Sequence, residues 1–191
     1  MRNILTEFSR AFACLAIFSV TPALATTEHN INPQIGTHTW KRTSDEVTYS
    51  LTQILPDQIR AFFSGRGFPV NAIEELARTC VFMTVVRNGH TTGSIHFKTA
   101  DWMVQSNGQS ESIRSTESWL NHWKDIGLEL PQLIAFEWGQ FPVEHIYQPG
   151  DWNQGMLIFS LDSNSSFNLH INWAYQNKLY TGVLDEVICA N

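Results

Sequence analysis

Between Glu46 and Ile54 the chain alternates, with Val47, Tyr49, Leu51 and Gln53 on one side and Thr48, Ser50 and Thr52 on the other. A period of two predicts a half-buried strand. The period then lengthens. Ile59, Phe62 and Phe63 form one stripe at helical spacing behind Pro56, a residue suited to the first helical position, and Gly65-Arg66-Gly67 ends that helix. Asn71, followed three residues on by Glu74, predicts a capping box for a second helix whose stripe is Ile73, Leu76, Ala77 and Cys80. Residues 56–80 therefore read as a hairpin of two short helices.

After Cys80 the pattern turns to β. Val81–Val86 and Ser94–Phe97 flank the turn signal Asn88-Gly89, within a loop longer than two residues. Gln105–Ser115 is polar and Ser-rich and is expected to be mobile. Ser115 or Thr116 caps a third helix carrying Trp119, Leu120, Trp123 and Ile126, which Gly127 terminates. Strands are expected at Leu133–Trp138, Val143–Tyr147, Met156–Leu161, Phe167–Ala174 and Leu179–Val187. Turn clusters between them (PGDWNQG, DSNSS, QNK) suggest a meander. Thr26–Thr39 shows no apolar period and is expected to be a loose arm. The fold class expected is α+β: an antiparallel sheet or sandwich-like meander with a short N-terminal helical hairpin and one further inserted helix.

The start of the chain changes the picture. Arg2 and Arg10 precede Ala11–Val20, ten uncharged residues dominated by apolar side chains, and Ala23-Leu24-Ala25 supplies the small–x–small pattern of a cleavage site. Ten residues make about 15 Å of helix, half a bilayer core, so a lasting anchor is not expected. Cys14 is not read as a lipid-attachment site, because Ala11 stands where that motif wants Leu. The expectation is a secretory signal at residues 1–25 and a single α+β domain at 26–191, periplasmic or secreted, with no membrane anchor after cleavage.

Composition then sharpens the partner classes. The full chain has 18 Asp and Glu against 12 Lys and Arg, a net charge of −6. Removing Arg2, Glu7 and Arg10 leaves 17 against 10, or −7. A nucleic-acid partner needs a basic surface and is not expected. Of three cysteines, Cys14 leaves with the signal, and Cys80 and Cys189 remain. An even pair in an exported protein most simply forms one disulfide. Its loop of about 110 residues would contribute about 4–5 kcal/mol in the chain-entropy account.

Candidate chemistry rests on three residue types. In Phe167–Ala174, His170 shares a face with Asn168 and Asn172, opposite the apolar residues, and His96 likewise lies opposite Ile95 and Phe97. His145 alternates with Val143 and Tyr147. If neighbouring strands align, His96, His170 and His145 converge, and imidazole suits copper, zinc, iron or nickel. Met156 on a strand adds a thioether, which would favour copper. Yet no HxH, no HExxH and no Cys–His spacing occurs, and lone strand histidines are commonly surface residues. Of the seven tryptophans, Trp119, Trp123 and Trp173 lie on apolar stripes and read as core. Trp152 sits in a turn cluster between Asp151 and Asn153, where an exposed aromatic could stack on a sugar or anchor a protein. Carboxylates are plentiful, but no GxSxG or SxxK motif marks a nucleophile.

Three function classes follow. The first is an exported non-enzymatic accessory or binding protein with a protein or small-ligand partner in the periplasm, handling copper or assembling a respiratory complex. The second is a secreted carbohydrate-binding module, and the third a small secreted hydrolase. For the cysteines the expected outcome is specific. Mass analysis under non-reducing conditions should find no free thiol at Cys80 or Cys189, and full alkylation of both without denaturant would overturn the bridge.

Overall fold

A computed structural model describes residues 26–191. The signal expected at residues 1–25 lies outside the described residues. In chain order the first elements are β1 (Glu28–Ile31), β2 (His38–Ser44), β3 (Val47–Gln53), α1 (Pro56–Ser64), α2 (Val70–Ala77) and β4 (Cys80–Asn88). Then come β5 (Ile95–Lys98), β6 (Met103–Ser106), β7 (Gln109–Ser112), α3 (Thr116–Asp125), α4 (Leu130–Gly139) and β8 (Glu144–Tyr147). Three long strands complete the chain: β9 (Trp152–Phe159), β10 (Ser166–Tyr175) and β11 (Lys178–Ile188).

These strands make two antiparallel sheets. The first runs β1-β2-β3-β4-β9, a meander closed by one long return. In the second, β10 pairs along its length with β11, and on its other edge with β6 at Asn168–His170 and β5 at Ala174–Tyr175. β5 and β6 are thus one broken strand, interrupted by a single 3-10 turn at Thr99–Asp101. The indole N–H of Trp102 donates to the Asn172 carbonyl at 3.1 Å within that break. Strands β8 and β7 add outside β5 and β6.

The alternation decides the layers. Val47, Tyr49 and Leu51 of β3, with Trp40, Phe82 and Val86, meet Phe97, Phe167, Leu169, Ile171 and Trp173 in the core between the sheets. The opposite face of the first sheet sends Val81, Met156 and Ile158 into a second core with the helices, around Ile59, Phe63, Leu76, Trp119, Trp123 and Phe136. The architecture is three layers: second sheet, first sheet, helices. Cys80, opening β4, and Cys189, just past β11, are bonded across the sandwich at a Cα separation of 5.1 Å. Gln53 stitches the same region, accepting from the His38 amide and donating to the Ile188 carbonyl.

Several local expectations are corrected. The segment Leu133–Trp138 is helical, not extended. Glu129 N–H donates to Gln132 at 2.7 Å and Pro131 sits in the first turn, so α4 has a helix start. Its apolar residues surround the axis, which hides the helical stripe. The arm expected at Thr26–Thr39 contributes β1 and the start of β2, held by main-chain pairing rather than by apolar alternation. The polar stretch after Gln105 is a hairpin whose turn residues Asn107 and Gly108 both have positive φ, the type I′ requirement that Asn-Gly satisfies. Helix α2 starts at Val70, not Asn71. Glu74 caps nothing; it takes a two-pronged ion pair from Arg60 at 2.8 and 2.9 Å, which ties α1 to α2 and holds its carboxyl below the usual carboxylate range.

Two glycines are set by close approach. At Gly155 a Cβ would lie 2.5 Å from the Gln140 carbonyl and the Phe141 backbone, which crosses β9 as it leaves α4. At Gly182 of β11 a Cβ would run into the ring and hydroxyl of Tyr49, which is fully buried. Gly182→Ala is therefore expected to destabilise the chain by about 1–3 kcal/mol through overpacking, read by denaturant unfolding. Unchanged stability would contradict this packing of Tyr49.

Candidate functional site

The helix layer does not cover the first sheet completely. α1 and α4 stand apart and leave a groove of about 760 Å³ floored by the sheet, within the range of small-molecule sites. One wall is Gln58, Ile59 and Phe62 of α1, and the other is Pro131, Ile134, Ala135 and Trp138 of α4. The floor is Thr52, Met83, Gln154 and Met156. Met83 and Met156 are partners in the β4–β9 register, so two thioethers lie side by side at the bottom. Flexible, polarisable thioethers adapt to the shape of what lies against them.

Local sequence explains why the groove is apolar. α4 buries Leu133 and Phe136 against the sheet yet leaves Leu130, Ile134 and Trp138 exposed, spaced four residues apart along one face. A helix that is apolar all round is ordinarily enclosed. Trp138 is 86% exposed, an exceptional state for an indole.

Among the described residues one charged side chain lines the groove. Arg66 follows α1 in the loop that Gln132 of α4 secures by donating to the Gly67 carbonyl. Its guanidinium lies 3.4 Å above the Phe62 ring centroid, and one Nη1 donates to the Phe62 carbonyl at 2.8 Å. Among the described residues no carboxylate pairs with it. Its remaining donors stay available to an anion.

The residues singled out in the sequence fall elsewhere, with one exception. Met156 is in the groove floor, facing the helices. His96 lies on the outer face of the second sheet, 2.7 Å from Glu144, whose carboxyl is held below its usual range by this contact and by Lys98. His170 shares that outer face but stands four residues along β10 from Ala174, the partner of His96, about 13 Å away. His145 opposes Phe97 in register, so it points to the other face, edge-on to Tyr147. The expected convergence of His96, His145 and His170 does not form, because the β5–β10 register sets His170 four residues from the partner of His96 and the β5–β8 register sets His145 on the opposite face. Among the described residues no group of three or more His, Cys, Asp or Glu side chains is placed to hold a metal ion.

The turn residues are also resolved. Asp151 closes its turn by accepting from the Gln148 amide at 2.8 Å, and the Asn153 side chain accepts from the Gln154 amide. Trp152 opens β9 rather than sitting in the turn, 58% exposed and opposite Arg87. On the same face Gln154 and Met156 follow at alternate positions, so Trp152 continues the groove floor beyond its mouth. Trp40, Trp102, Trp119, Trp123 and Trp173 are all core. Sequence reasoning missed Trp138, since a strand there would have buried it. Compared with family models, curated proteins and solved structures, the chain matches none.

Iodide should quench mainly Trp138 and Trp152. Trp138→Ala and Trp152→Ala together are expected to remove most of the quenchable emission. Each alone should change unfolding stability by less than about 0.5 kcal/mol, as for surface side chains. Persisting quenching in the double variant would contradict the exposed positions.

Proposed function

We propose that this chain is an exported, non-enzymatic binding protein whose ligand is a single-chain amphiphile with an anionic head, held between α1 and α4. The observation that carries the reading is an apolar groove in which, among the described residues, Arg66 is the one cation and has no carboxylate partner, in a protein whose net charge is negative. The apolar chain lies over Met83 and Met156, covered by Phe62, Ile134 and Trp138. Burying it removes apolar surface from water at about 25 cal/mol per Å². A carboxylate or phosphate head takes the outward N–H groups of Arg66, whose planar face already rests on Phe62. Binding rather than turnover is supported by the lining chemistry, in which Arg66 is the single titratable side chain among the described residues. Export is supported by the apolar run Ala11–Val20 behind Arg2 and Arg10, by the cleavage pattern Ala23-Leu24-Ala25, and by the Cys80–Cys189 bridge, a bond that persists in oxidising compartments.

The test has two arms. Chain exported by a bacterial host should begin at Thr26 by mass analysis, and retention of residues 1–25 would overturn export. Titration of the purified protein with a long-chain fatty acid and the alcohol of equal length should show saturable 1:1 binding that shifts Trp138 emission. Arg66→Gln should weaken the acid about tenfold and leave the alcohol nearly unchanged, the cost of one charge-assisted contact. Ala135→Trp, which fills the groove, should abolish both while leaving the circular dichroism unaltered. Absence of saturation with either ligand, or full binding by Ala135→Trp, would overturn the groove as the site. Glycan binding that depends on Trp152 would instead select a carbohydrate module.

A further inference from the structure

The pairing of β1 with β2 creates a second, unrelated constellation. The register sets His29 opposite Trp40 and Ile31 opposite His38. His29 and His38 are therefore diagonal neighbours on one face of the pair. His29 Nε2 lies 3.1 Å from His38 Nδ1. Both rings rest against the buried indole of Trp40, His29 stacked at 4.7 Å with 13° between planes and His38 tilted at 5.6 Å. The His38 amide is fixed by Gln53, so the backbone beneath that ring is anchored to the sandwich core.

A 3.1 Å contact between two ring nitrogens needs one proton shared between two lone pairs. The same separation suits a metal ion in place of that proton. With metal–nitrogen bonds of about 2.0–2.1 Å, two imidazoles stand about 2.9 Å apart when cis in a square plane and about 3.3 Å apart at a tetrahedral angle. The observed separation falls between the two, so little ring movement is required. His29 also borders a cavity that contains Asp185 and Glu186. Arg42 lines the same cavity and pairs with Asp185, which leaves Glu186 as the one carboxylate there without a cationic partner among the described residues.

We infer that His29 and His38 form a two-imidazole site for a divalent transition metal, with water completing the coordination. His29 supplies Nε2 and His38 supplies Nδ1. Imidazole ligands favour Cu²⁺ over Zn²⁺ by the usual order of divalent affinities. Trp40 acts as a positioning residue that holds both rings, and its stacking makes it the reporter. The site adjoins the amphiphile groove, whose lining includes Thr37 and Gln53, but neither imidazole lines that groove and the inference does not depend on it.

The experiment titrates Cu²⁺ and Zn²⁺ into chain 26–191 carrying no histidine tag, followed by calorimetry and tryptophan emission. One equivalent of Cu²⁺ should bind and quench part of the emission, and Zn²⁺ should bind more weakly. His29→Ala and His38→Ala should each weaken Cu²⁺ binding by about tenfold or more, and the nitrogen couplings seen by electron paramagnetic resonance should fall from two to one. His96→Ala and His170→Ala should leave both readouts unchanged. Both sets of substitutions lie on exposed or half-buried rings, and unfolding midpoints check that each variant is folded. No uptake by the wild-type chain, or full-strength binding in both His29→Ala and His38→Ala, overturns the assignment. Dependence on His96 or His170 also overturns it and moves the metal to the second sheet.

Discussion

The first sheet must satisfy two cores at once, and the rest of the molecule is arranged around that demand. β4 sends Cys80, Phe82 and Val86 into the sandwich and Val81 and Met83 toward the helices. β9 divides the same way, Leu157 and Phe159 against Met156 and Ile158. Strands apolar on both faces cannot border water on either side without cost, so the helix layer is obligatory above them. β2 and β3 are different. Their outward positions are Thr39, Lys41, Thr43, Thr48, Ser50 and Thr52, hydroxyl-rich and cross-linked by the pairs Thr39–Thr52 and Thr43–Thr48. The change from methyl and thioether groups to hydroxyls across one sheet marks where helix cover ends, and the groove lies on that border.

Charge is distributed sparingly over this frame. The ion pairs lie between neighbouring elements, as with Arg60 between Asp57 and Glu74, or Arg42 reaching Asp185 and the Val183 carbonyl where β2 approaches β11. These contacts join elements at the surface, where individual pairs contribute little stability. Arg66 has no such acidic partner among the described residues, and its loop is held by a neutral hydrogen bond instead. Its guanidinium instead packs on the Phe62 ring and donates to the Phe62 carbonyl, closing the end of α1 beside the groove.

What could be read from the chain depended on whether one period governed a segment. β3 and β10 alternate cleanly, since each buries a single face, and both were legible from Val47 to Gln53 and from Phe167 to Trp173. Pro56 at the first helical position and the Ser115 cap located α1 and α3. α4 was misread because Leu130, Ile134 and Trp138 erase the polar side that identifies a helix. The groove was illegible altogether. Its walls come from segments some seventy residues apart, and its floor from Met83 and Met156, which meet only through the β4–β9 register. Likewise His29 and His38 acquire a relation only once β1 pairs with β2, and no spacing rule carries that information. Cys80 and Cys189 were recoverable because counting, not geometry, paired them.

That bridge has a further meaning for the life of the chain. Both half-cystines are almost completely enclosed, at 1% exposure each, beneath the sandwich core. Once the sheets have closed, neither an oxidising enzyme nor a small-molecule reductant can reach the sulfurs without opening the domain. Closure of the sheets therefore shields the sulfurs, and exchange at this bond waits on local opening around the start of β4 and the end of β11. The rate at which the bond responds to its redox surroundings is set by the breathing of the fold.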